Sequence, residues 1–279
     1  MAGIASLTAF LVAASFTPVV IPCFLLLAVV LAGQILSECK EYYWRLPGSL
    51  KILSFGLGAM LILFGVSLLI SEHLFSSAFN SYNNGDYAKS YRYSQWALTL
   101  NPTNRLYYIY RAGSEIMLNK PAESVIPHIN QVVDLHPNLA RSYASRAYLY
   151  DLLSTRTSQD FYLKQATANL KTALGIDKYF ADRYALLGLY DFQLGDFDMA
   201  VGNLRYGLSL SGGNFSSWIL LARIYQIKED RTQSLQALEQ AYKLNPTNLR
   251  LKLVWDYAKS EPDIKKVPLN IRLSQGGLD

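Results

Sequence analysis

The chain opens on long uncharged stretches and then settles into amphipathic helices. Ile52 to Ile70 (ILSFGLGAMLILFGVSLLI) is 19 residues without a charge. As a helix it reaches about 28 Å, close to the roughly 30 Å hydrocarbon core of a bilayer. A buried core helix seldom runs so far without a polar face, so the pattern predicts a transmembrane span over 52–70. Ile4 to Leu36 is also uncharged, but Pro18 and Pro22 interrupt it. Proline removes a backbone donor and clashes with the preceding turn. Pro22–Leu36 therefore reads as one span. Ile4–Phe16 falls short of the roughly 17 residues needed to cross. A half-crossing, an interfacial helix and the tail of a longer span all stay open for it. Residues 1–70 are thus expected to form a membrane region: broken apolar segment 4–36, basic loop 37–51, span 52–70.

From Ser71 the pattern repeats. One unit has a small residue at position 8, Gly-Asp-aromatic at 15–17, small residues at 20 and 27, and proline at 32. In 71–104 these are Ala78, Gly85-Asp86-Tyr87, Ser90, Ala97 and Pro102. In 181–214 they are Gly188, Gly195-Asp196-Phe197, Ala200 and Gly207; in 215–248, Ala222, Asp230, Ser234, Ala241 and Pro246. Two units are degraded. In 106–139, Gly113 and Pro137 hold their places, but Lys120-Pro121 replaces Gly-Asp. In 140–180, Ala147, Ala166 and Ala173 fit only with an insertion near Ser154–Asp160. Each unit reads as two antiparallel helices, which cannot bury an apolar face alone and must stack. Small residues let the helices approach, and glycine tolerates the positive φ of the turn. Leu249–Lys259 is expected to cap the stack through Leu253, Trp255 and Tyr257, with 261–279 as a tail.

These residues resemble the tetratricopeptide repeat family over about 71–248. The resemblance implies a right-handed α-solenoid of about five helical hairpins plus a capping helix over 71–260, which with the N-terminal transmembrane helices read above makes the expected fold all-α. It also implies a concave groove lined by positions 2, 5, 9, 12 and 13 of each first helix. Carried over, those positions include Phe75, Phe79 and Tyr82 in the first unit, and Tyr107 and Tyr110 in the second. The third contributes Tyr148 and Asp151, the fourth Asp182 and Phe192, and the fifth Arg223 and Gln226. Tyrosine and phenylalanine offer flat apolar area at low entropy cost, which suits a protein or peptide partner. The family's Lys/Asn/Arg clamp for a C-terminal carboxylate is not visible at these positions.

Composition narrows the function. Charged residues make up 17% of the chain, below the roughly 25% of soluble domains. Only Glu38, Lys40, Glu41, Arg45 and Lys51 are charged before Ser71. Three bases in the loop 37–51 favour its retention in the cytoplasm, which places the repeats outside it. Net charge is +5 with no dense basic tract, so nucleic acid is not an expected partner. Cys23 and Cys39 exclude a disulfide framework. His128 and His136 lie eight apart, where a helix would place them on one face, but no third ligand is near in sequence. No phosphate loop, zinc-protease or nucleophile-elbow motif occurs, so neither enzymatic activity, nor a metal, nor a cofactor is expected. Asp86 and Asp196 are explained by turn chemistry, and Asn214-Phe215-Ser216 is a glycosylation sequon.

Leu7–Phe16, then Pro18–Pro22 (PVVIP), then an apolar helix with Gly33, resembles the last membrane segments of the O-antigen ligase and polymerase family. Many of its members carry tetratricopeptide repeats after the final spans. That resemblance implies the non-catalytic end of a glycan-assembly enzyme, with a membrane glycan-assembly partner. The combined expectation is a scaffold anchored in the inner or plasma membrane, its repeats extracytoplasmic, serving envelope assembly.

Overall fold

The structure is a computed structural model and describes residues 47–269. The expectations for 4–36 and for most of the loop 37–51 lie outside the described residues. Among the described residues there are eleven α-helices, one short 3₁₀ turn and no strand. The chain divides into two compact units between Lys120 and Pro121, inside the degraded second repeat.

The first unit holds α1 (Gly48–Asn83), α2 (Tyr87–Leu100) and α3 (Arg105–Met117). Helix α1 has 36 residues and so runs about 54 Å. It passes through Ser71 unbroken, so the change of pattern there is not a break in the chain's path. No glycine or proline lies between Ile70 and Asn83 to stop the helix. The Ser71 hydroxyl bonds back to the Leu68 carbonyl at 2.8 Å within it. The segment Gly56–Asn83 is long and apolar enough to cross a membrane, and only 11% of its most apolar 18-residue window is buried. Met60 to Phe64 are all exposed.

Gly85, at φ +79°, ends α1. Asp86 then caps α2, accepting from the Lys89 backbone at 3.1 Å and pairing with its ammonium at 2.7 Å. The Lys89 hydrogen bonds hold the Asp86 carboxyl below its ordinary range. Ser90 of α2 and Ser114 of α3 join hydroxyls at 2.9 Å inside the unit, where both are fully buried.

The second unit runs α4 (Ala122–Asp134), α5 (Ala140–Thr157), α6 (Asp160–Ile176), α7 (Ala181–Gln193), α8 (Phe197–Leu210), α9 (Phe215–Ile227), α10 (Arg231–Leu244) and α11 (Leu249–Ser260). Helices α5 and α6, α7 and α8, and α9 and α10 pair as hairpins, and each following helix packs on the hairpin before it. The insertion in the third repeat is absorbed as helix. Helix α5 has 18 residues and α6 has 17, against 13 and 14 in the next repeat. Leu153 and Tyr162 bury this extra length, and Tyr162 stacks on Tyr150 at 6.3 Å.

The turn chemistry holds even where glycine is missing. Gly85 and Gly195 take positive φ, and so do Asn119, Ser158 and Glu229. Asp196 and Asp230 cap α8 and α10, each accepting the backbone N–H three residues on. Such a cap is worth about 0.5–2 kcal/mol.

Helix α11 caps the stack; of the three expected packing residues Trp255 lies against the core, while Leu253 and Tyr257 do not. Leu251, Val254 and Ala258 are buried, whereas Leu253 and Tyr257 are exposed and Trp255 is half-buried. Asn248 accepts from the Leu251 backbone and so sets the register. Residues spaced by three and four from Leu251 then form the inward stripe.

Close helix approach depends on bare backbone. A Cβ on Gly188 would stand 2.6 Å from Leu204 Cγ and 3.1 Å from the Ala200 carbonyl. A Cβ on Gly202, in the same hairpin, would meet nothing within 4 Å. Gly188→Ala is expected to cost about 1–3 kcal/mol through overpacking, while Gly202→Ala gains about 0.5–1 kcal/mol of helix propensity. Urea unfolding of the two variants checks this, and equal shifts would contradict it.

Candidate partner-binding surface

In the first unit, Phe75, Phe79 and Tyr82 follow one another along α1 at helical spacing. Tyr110 of α3 meets all three, with ring centroids at 5.4, 5.5 and 5.4 Å. Tyr82 also touches Tyr87 at 5.3 Å. Gly113 makes room for this, since a Cβ there would be 3.1 Å from the Tyr82 hydroxyl. Edge-on aromatic pairs add about 0.5–1.5 kcal/mol each beyond buried area, so the patch is held stiffly. Phe79 is its exposed member; Phe75, Tyr82 and Tyr110 are half-buried.

Tyr107 is not a surface residue. It is fully buried, stacks on Phe75 at 5.1 Å and packs with Ala97 and Leu98. Its hydroxyl donates to Glu72 at 2.8 Å and lies 3.2 Å from the Ser71 hydroxyl. The Asn104 amide donates to the same Glu72 oxygen at 3.3 Å. Burial pushes the Tyr107 hydroxyl far above its ordinary range. Position 2 of this repeat faces the core because α1 packs across it, where a polar anchor is available for the hydroxyl.

In the second unit, Phe192 of α7 and Arg223 of α9 come together. The guanidinium carbon lies 5.2 Å from the ring centroid, and Phe197 flanks the ring at 5.8 Å. Cation–π contacts of this kind contribute about 0.5–2 kcal/mol, depending on desolvation. Asp182 is exposed in the first turn of α7, and Tyr148 of α5 is half-buried.

Two other expected groove positions are withdrawn from the surface. Asp151 is buried, and burial raises its carboxyl above the ordinary carboxylate range, the Tyr190 hydroxyl pulling partly the other way. Burial, reinforced by the Asp151 charge, pushes the Tyr190 hydroxyl far up. Gln226 is covered by the chain itself. Its amide donates to the carbonyls of Ile264 and Val267, both at 2.7 Å.

The expected tail is therefore not free over its first nine residues, 261–269. Ile264, Val267 and Leu269 are buried in the same core as α9, α10 and α11. The Arg231 guanidinium holds the approach by donating to the Ala258, Glu261 and Pro262 carbonyls at 3.1, 2.9 and 3.2 Å. Lys265 pairs with Glu229 at 2.6 Å. The apolar spacing Ile264, Val267, Leu269 was the available signal for this fold-back.

His128 lies in α4 and His136 beyond its end at Asp134, so the two do not share a helix face. Among the described residues no group of three or more His, Cys, Asp or Glu is placed to hold a metal ion.

Comparison with known proteins agrees with this geometry. Residues 215–248, which form α9 and α10, match the tetratricopeptide repeat family. A stretch of 84 residues is 33% identical to the cell division cycle protein 27 homolog of Caenorhabditis elegans. That stretch is 30% of this chain and spans only 11% of that protein. Among solved structures, PilW, described as a widely conserved type IV pilus biogenesis factor, superposes with a TM-score of 0.54 at 17% identity, over 70% of this chain and 89% of PilW. A thermophilic tetratricopeptide repeat protein of Thermus thermophilus gives 0.51 at 21% identity, over 68% and 100%. MamA of Desulfovibrio magneticus gives 0.52 at 12%, over 64% and 97%. Residues 215–248 are thus a tetratricopeptide repeat, and the fold is a helical repeat scaffold of that type.

Because the fold favours protonated Asp151, stability from this group falls as pH rises through its raised pKa. Asp151→Asn is expected to raise the urea midpoint at pH 7, with the gain shrinking toward pH 4. A gain that is flat across that range would contradict burial as the cause. Gln226→Ala is expected to speed amide exchange at residues 264–269, measured by mass spectrometry, while leaving α5 and α6 unchanged.

Proposed function

We propose that the chain is a membrane-anchored scaffold whose repeats hold a protein or peptide partner beside the bilayer. The observation that carries this is α1, whose apolar stretch 56–70 is largely exposed and continues as one helix into the first repeat. A span built this way fixes its repeat at the membrane with no linker. Retention of the basic loop in the cytoplasm then orients the repeats outward, in the cell envelope. The partner surface is the Phe192–Arg223 pair of the second unit; the exposed edge of the Phe79 patch in the first unit is a surface of its own. Aromatic residues, phenylalanine among them, and arginine are enriched at the cores of protein interfaces. A partner from membrane glycan assembly follows the resemblance over 5–70 and belongs to the same proposal.

Two measurements test it. The full chain should stay in the membrane fraction after alkaline carbonate extraction. A cysteine at the exposed Lys171 position should react with an impermeant thiol reagent in intact cells, while Cys39 does not. Release by carbonate, or the reverse labelling, would sink the anchoring or its orientation. For the surface, Arg223→Ala is expected to weaken binding of peptides selected against the full chain by about thirtyfold, the scale of a hot-spot residue. Lys164→Ala, on the exposed side of α6, should leave it unchanged.

A further inference from the structure

We propose that the turn joining α2 to α3 rests on the lipid bilayer, with Trp96, Leu100 and Leu106 seated at the boundary of headgroups and acyl chains. This deepens the membrane-anchored reading and rests on it. The argument is one of height along α1. The apolar run of α1 ends at Ile70. The next two residues, Ser71 and Glu72, are tied to Tyr107 and Asn104 by contacts of 2.8 to 3.3 Å. The turn 101–104 is thereby held level with the point where the hydrocarbon would end. Helix α2 returns antiparallel to α1, so its last turn reaches the same level, and Trp96 lies about 6 Å, one helical turn, above Leu100.

The chemistry at that level suits a lipid surface. Trp96 is 53% exposed and Leu106 39% exposed, large apolar side chains open to whatever lies beside the turn. Tyr93 adds a second ring at 5.9 Å from Trp96. Tryptophan and tyrosine are the residues enriched where a protein meets headgroups. Glu72 is the single acidic residue between Leu68 and Leu74 or between Trp96 and Leu106. Its carboxylate accepts from the Tyr107 hydroxyl and the Asn104 amide, so it is turned onto α3 and the turn before it.

Quenching by brominated lipid tests this in the full chain. The protein is reconstituted into phosphatidylcholine and phosphatidylglycerol vesicles containing lipid brominated near the upper acyl chain. Three variants each keep one tryptophan: Trp96 alone, or Asn83→Trp or Phe64→Trp with the four native tryptophans changed to phenylalanine. Asn83 closes α1, about 20 Å along the helix beyond Ile70. Trp96 is expected to lose about half of its fluorescence, as a residue of the interfacial belt should, with Asn83→Trp unaffected and Phe64→Trp quenched. If Phe64→Trp is quenched but Trp96 behaves like Asn83→Trp, the turn does not touch lipid, although the anchor stands. If Phe64→Trp is unquenched, the anchoring reading fails and this inference fails with it. A Thr103→Cys variant bearing an environment-sensitive dye checks the same contact with the native tryptophans in place; its emission should shift to the blue in vesicles, and an unshifted emission counts against it.

Discussion

Helices share a core only when their backbones come close enough for side chains to interlock, and in this chain that closeness is set by residues with little or no side chain. Gly188 leaves space that Leu204 fills, and Gly207 lies where a Cβ would press on the Ala181 carbonyl and on Tyr184. Ala78, Ala147, Ala222, Ala97, Ala173 and Ala241 occupy the corresponding places in other repeats and are all fully buried. A larger residue at any of them would push the helix pair apart and uncover the leucines and isoleucines beside it. The surface residues depend on the same spacing. Phe192 and Arg223 belong to different hairpins of the second unit, and they meet because the helices carrying them are stacked this tightly.

A second constraint acts on polar groups. Serines recur at buried repeat positions and bind across helices: Ser90 to Ser114, and Ser234 to the Ala222 carbonyl. Asp191 does the same with Asn203 at 2.6 Å. Buried polar groups left unpaired would be costly, so these bonds hold one register between neighbouring helices. The Ser71–Tyr107–Glu72–Asn104 cluster belongs to this set and joins α3 to the middle of α1.

Much of the fold is legible in the sequence because it follows from spacing. The small positions, the Gly-Asp turns and the Asp caps all sit where the repeat pattern puts them. What could not be read is whatever depends on a neighbour outside the repeat. Tyr107 occupies a nominal groove position, yet packing against α1 and a waiting carboxylate draw it inward. Leu253 and Tyr257 look like packing residues by size, yet the Asn248 cap turns another stripe of α11 to the core. Gln226 is placed by the repeat on the partner surface and is occupied by residues far along the chain. The aromatic patch of α1 and α3, and the Phe192–Arg223 contact, were legible as positions but not as pairs. Repeat register says which face a residue takes, and not which ring it will touch.

The unbroken course of α1 has a mechanical consequence. A helix of this length resists bending, and nothing near Ser71 supplies a swivel. Within the first unit, the repeat and the apolar segment therefore turn together about a common axis. A sideways pull on that repeat arrives at the other end of the rod as tilt rather than slack.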